Sequence, residues 1–118
     1  MSKIIQAINA MISNPDLITN VVQSGKEFFF LYKNKYKWSI RTDNSEEDNY
    51  FLFFYPGDMT IDILAGLDPE DWDDVPLIRY QASEIGTKEA RASMSELYTL
   101  VQERLYRINE ALDDIISG

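Results

Sequence analysis

Five of the seven side chains in Asp68-Pro69-Glu70-Asp71-Trp72-Asp73-Asp74 are carboxylates, and they surround one tryptophan. Crowded oxygens are what a hard cation such as calcium takes as ligands. The calcium-loop pattern, however, sets acids at alternate positions, with a glycine sixth and a glutamate twelfth. Here the acids are adjacent and that glycine is missing, so no metal is assigned to them. The bland reading is a solvated loop with Trp72 tucked on a sheet edge. The functional reading is recognition: acids steer a basic partner in, and an aromatic residue anchors it. Asp68, Glu70, Asp71, Trp72, Asp73 and Asp74 are therefore the candidate partner-binding residues.

A second group has the opposite sign. Lys33, Lys35, Lys37 and Arg41 cluster on one expected hairpin. Outward lysines on a strand more commonly discourage edge-to-edge pairing than bind nucleic acid. Lys35, Lys37 and Arg41 are kept as a candidate secondary surface. The chain carries 11 basic against 20 acidic side chains, a formal charge of −9, which argues against coating DNA or an anionic membrane.

Most catalytic chemistries lack their residues. There is no cysteine, so no thiolate nucleophile, disulfide or cysteine-ligated metal, and no histidine, the commonest general base. None of the serines sits in a Gly-x-Ser-x-Gly turn. Ser24-Gly25-Lys26 resembles the end of a phosphate loop, but Asn20 and Glu27 stand where the motif requires glycine and Ser or Thr. Gly25 reads instead as a helix stop. Paired carboxylates remain for glycosidase-type chemistry, which needs two acids about 5–10 Å apart in an aromatic cleft. A chain of 118 residues offers little cleft, so a non-enzymatic protein without a cofactor is the expectation.

The elements that must position these groups follow from periodicity. Ile4, Ile5, Ile8, Met11 and Ile12 mark an amphipathic helix over residues 3–13. Asn14-Pro15-Asp16 opens a second short helix carrying Leu17, Ile18, Val21 and Val22 and ending at Gly25. Strands are expected at 27–33, 35–41 and 50–55, with Asn34-Lys35 as a turn and 42–49 as an acidic loop. Met59, Ile61 and Ile63 alternate as a fourth strand, and 77–81 reads as a fifth. Ala90, Met94, Leu97, Val101, Leu105, Ile108, Leu112 and Ile115 then step by threes and fours, a helix of roughly thirty residues and about 45 Å, capped by Thr87. Glu103 and Arg107 stand at i,i+4 as a favourable pair. Tyr98, Tyr106 and Arg107 lie off its apolar stripe.

The expected fold is a single α+β domain over residues 1–118. It has an antiparallel meander of about four to five strands, preceded by a short helical pair and followed by one long C-terminal amphipathic helix. The strand at 50–55 is apolar on both faces, so both must be covered, by helices or by a second copy. Phe29, Leu31, Phe51, Phe53 and Tyr55 share one face and form core, a dimer interface or a ligand pocket.

No apolar run approaches the ~20 residues of a membrane helix, and neither a signal peptide nor a lipidation motif is visible, so a cytoplasmic protein is the default expectation. The leading functional expectation is a non-enzymatic acidic protein that docks on a basic surface of another protein, as chaperone-, immunity- or inhibitor-like molecules do, with a homodimer as a further expectation. If it mimicked DNA, the acids of 42–49 and 66–74 would form one continuous surface. The alternative is a small-molecule binder or minor carboxylate enzyme with an enclosed aromatic pocket between sheet and helix, lined by residues such as Phe30, Trp38 and Tyr80.

Overall fold

In the computed structural model, which describes residues 2–118 except the side chains of residues 108 and 109, helix α1 spans Lys3–Ser13. Ser2 caps it, its hydroxyl accepting from the Ile5 N–H at 3.4 Å, and its apolar spacing buries Ile5, Ile8 and Met11 on one side. The expected second helix shrinks to one 3-10 turn, Pro15–Leu17. The chain then becomes strand β1, Ile18–Ser24. Gly25 does take the left-handed conformation, with φ +60°, but it opens the two-residue turn that pairs Ser24 with Glu27. Glycine at the first central position suits a hairpin turn matched to strand twist.

Strands β2 (Glu27–Tyr32), β3 (Tyr36–Thr42), β4 (Tyr50–Tyr55) and β5 (Ile78–Gln81) complete a five-stranded antiparallel sheet in the order β1-β2-β3-β4-β5. This is the expected meander, with β1 as the extra member at one edge. Between β2 and β3, Lys33 and Asn34 both take positive φ, +56° and +59°, the pair a tight primed turn requires. The turn therefore centres one residue before the expected Asn34-Lys35. Along β1 the register shifts between Thr19 and Val22, where Asn20 has φ +54°.

The expected strand at 59–63 is instead a short helix, α2, Ile61–Ala65. Thr60 caps it by accepting from the Ile63 N–H at 3.4 Å. Ile61 and Leu64, three apart, are buried, whereas Ile63 is 52% exposed. A helix period thus wins over the two-residue alternation. A 3-10 segment, Pro69–Asp74, follows.

After β5 come the single turn α3, Ala82–Ile85, and helix α4, Lys88–Tyr106. Thr87 caps α4 as expected, accepting from the Ala90 N–H at 3.0 Å. The long helix is not continuous. Arg107 takes φ +50°, and a separate helix α5, Ile108–Ser117, continues beyond it. Leu112 and Ile115 are exposed there, so the predicted stripe runs past the edge of the sheet; Ile108 lies outside the described side chains. Arg107 pairs with Glu110 at 4.0 Å, and its backbone N–H, not its guanidinium, meets Glu103, at the carbonyl.

Both sheet faces are covered, as the doubly apolar β4 demands. On one, Phe28, Phe30, Ile40 and Leu52 pack under α1 and α4 with Met94, Leu97 and Val101. On the other, Phe29 and Tyr55 pack under Ile61 and Leu64 of α2 and Val75. No helix among the described residues is long and apolar enough to cross a membrane.

Candidate functional site

Pro69 starts the acidic 3-10 segment with its φ preset, and the Asp71 N–H donates to the Asp68 carbonyl at 3.0 Å. One turn on, the Trp72 carbonyl accepts from the Val75 N–H at 3.1 Å. This winding turns Trp72 inward. Its indole stacks on Phe29 at 6.2 Å, 20° from parallel, and meets Tyr55 at 5.9 Å. Asp68, Glu70, Asp71, Asp73 and Asp74 are left exposed around it, with Asp62 of α2 exposed nearby in the chain. Among the described residues none of these six carboxylates forms an ion pair. No group of three or more acidic side chains among the described residues is arranged to hold a metal. Trp72 therefore acts as the keel of the segment, and the exposed carboxylates are held around it.

Near that keel lies a polar cluster that the sequence did not signal. The buried Ser39 hydroxyl donates to the Glu27 carboxylate and shares a 2.7 Å hydrogen bond with the Tyr55 hydroxyl. Burial pushes the Tyr55 hydroxyl well above its ordinary pKa, and the neighbouring Glu27 charge adds to the effect. Ser39 is 0% and Tyr55 3% exposed, so no substrate reaches this serine. The cluster satisfies buried hydroxyl groups inside an aromatic layer.

The candidate secondary surface is dispersed. Lys35 lies over the Tyr36 ring at 4.7 Å, Lys37 donates to the Gly57 carbonyl, and Arg41 lies over Phe51 at 4.5 Å. Each cation is engaged with its own chain, on an aromatic face or a turn carbonyl, rather than gathered into one free patch.

The other acidic loop is built around Asn49, only 1% exposed. Its amide donates to Asp43 at 2.9 Å and Glu46 at 3.4 Å, and its oxygen accepts from the Ser83 N–H at 2.9 Å. Hydrogen bonds from the Ser45 hydroxyl and N–H hold the Asp43 carboxyl below its ordinary pKa. Arg91 of α4 pairs with Glu46 at 3.1 Å. This loop enters β4 at Tyr50 and leans on α3 and α4, whereas the 3-10 segment covers Tyr55 at the far end and on the other face. The two acidic segments do not form one surface, which removes the DNA-mimic arrangement.

The expected aromatic pocket exists in altered form. Trp38, Phe54 and Ile78 align across β3, β4 and β5, with Trp38 and Phe54 rings 4.9 Å apart. Together with Tyr32, Tyr36 and Tyr80, and with Ala7, Ala10 and Met11 of α1, they line a groove of about 460 Å³. It is open rather than enclosed, and Phe30 lies beneath it in the core. The Trp38 Nε1–H is buried without a hydrogen-bond acceptor among the described residues.

Comparison of the chain with protein-family models, curated proteins and solved structures yields no match in any of the three.

Proposed function

We propose that this chain is a non-enzymatic interaction protein that docks on a basic surface of another protein through Asp68, Glu70, Asp71, Asp73 and Asp74. The observation that carries this reading is the combination of exposure and fixation. The carboxylates have no cationic partner among the described residues, yet their backbone is pinned by Trp72 on Phe29 and Tyr55. A fixed array of like charges loses little conformational entropy on binding and adds to a −9 field that draws in a cationic partner. Trp72 serves the site by positioning the acids rather than by inserting into the partner.

The test is capture from a lysate of the native host by the immobilised chain, washed at low and high salt, beside a variant with all five acids of residues 68–74 changed to Asn or Gln. A basic protein held by the parent, released by salt and lost by the amide variant supports the reading. Equal capture by both chains overturns it.

A further inference from the structure

Among the described residues two apolar surfaces lack a partner, and they match. Helix α5 carries Leu112, Ile115 and Ile116 on one stripe, and they are 47%, 74% and 82% exposed. Its charged residues are Glu110, Asp113 and Asp114, with no cation. The other surface is the aromatic groove over β3–β5, with Lys33 on its rim and Lys35 over its Tyr36 wall.

We propose that α5 of a second copy of this chain lies in the groove, and that two copies exchange these helices reciprocally. Ten residues of helix are about 15 Å long, close to the roughly 14 Å from β2 to β5 across three strand spacings. Ala7 and Ala10 make the α1 wall shallow, so a second helix axis can approach to the ordinary 8–10 Å or so of packed helices. Asp113, which flanks the apolar stripe, then meets Lys33 on the groove rim.

The helix cannot serve its own groove. Arg104 donates to the Ile18 carbonyl at 3.2 Å and Tyr106 to Gln23 at 3.4 Å, which ties the end of α4 to the β1 edge. The groove opens on the far side of α1, and Arg107 alone, spanning at most ~3.6 Å, joins the two helices. Reciprocal exchange between two copies closes on itself, as a two-fold contact must. It uses the sheet face opposite the acidic segment and stands independently of the docking proposed there.

Sedimentation equilibrium on the full chain tests the exchange. The expected results are a dimer for the parent and monomers for Ile115→Asp/Ile116→Asp and for Ile78→Glu, with dissociation constants raised at least about 100-fold. Because these side chains are exposed in one copy, the variants keep their fold by circular dichroism. Mixing the two variants restores a dimer, since one intact α5 meets one intact groove. In the parent, the Trp38 indole N–H resonance, identified in Trp72→Phe, shifts with concentration. A monomeric parent, a dimer that survives both substitutions, or a small apolar ligand found in the groove by native mass spectrometry overturns the proposal.

Discussion

Trp72 lies 6.2 Å from Phe29, ring centre to ring centre and 20° from parallel, so the most acidic stretch of the chain hangs from one of its most buried strands. The pair couples a surface property to a core contact. Anything that loosens the stack moves the carboxylates.

Trp72→Ala is expected to cost about 2–3 kcal/mol, below the ~3–5 kcal/mol of a fully buried tryptophan. Replacing the five neighbouring acids by amides is expected to change stability by less than about 0.5 kcal/mol, or to raise it by relieving like-charge repulsion. Urea titration of each variant measures both, and the contrast separates the keel from the charges it carries.

Tyr55 makes a prediction at alkaline pH. Its hydroxyl holds its proton more tightly in the folded chain than at the ordinary value of 10.0. The unfolded chain therefore releases that proton first, and the stabilisation present below pH 10 is lost as pH rises above it. The melting temperature of the parent is expected to fall more steeply between pH 9 and 11 than that of Tyr55→Phe. At neutral pH the variant is expected to lose roughly 1 kcal/mol with its hydrogen bond to Ser39.

Asn49→Ala leaves the Ser83 N–H unpaired and removes a donor from Asp43 and Glu46. The expected cost is about 2–3 kcal/mol. Hydrogen exchange of the 43–48 amides is expected to accelerate as well. Asn49→Asp keeps the acceptor for Ser83 but sets a third carboxylate against the other two, so its destabilisation is expected to shrink as the pH is lowered toward 4.

At Gly25 an added Cβ meets nothing within 4 Å, so the cost of a side chain there is conformational alone. Gly25→Ala is expected to lose about 1–2 kcal/mol, and Gly25→Asn less, because asparagine tolerates the left-handed region better. Thermal denaturation of the pair distinguishes a conformational cost from a steric one, which would rank the larger asparagine as the worse.

The α+β layering and the meander were legible because β3 alternates cleanly, β2 and β4 are dense in aromatic residues, and α4 keeps its three- and four-residue apolar steps. Strand β1 was not. Its bulge lets Ile18 pack with one core cluster and Val22 with the other, although a regular strand would put both on one face. That parity change hid the two-residue period and left Leu17, Ile18, Val21 and Val22 spaced like a helix. Helix α2 was hidden by the reverse accident, an alternation at Met59, Ile61 and Ile63 with a Thr60 cap inside it. The candidate acids were readable as exposed. The direction of Trp72 was not, because a tryptophan among carboxylates suits either an anchor or a keel until the winding of the 3-10 segment is known. Asn49 and the Glu27–Ser39–Tyr55 cluster gave no signal, since their partners meet only across strands or between layers.

The Ser93 hydroxyl donates to the Asn9 side chain at 2.9 Å, across 84 residues of chain. Every strand pair in the sheet joins consecutive strands, and the pairs from β1 to β4 have loops of two to seven residues to close, so they can form early, whereas β4 and β5 are separated by residues 56–77. Helix α1 is the exception, because its main helical neighbour, α4, follows all five strands in the chain. During synthesis the apolar side of α1, with Ile5, Ile8 and Met11, stays without that cover until the sheet and α4 have both emerged. Helix α1 thus precedes the sheet in the chain but docks after it, and truncations within α4 are expected to leave the hairpins formed but α1 adrift.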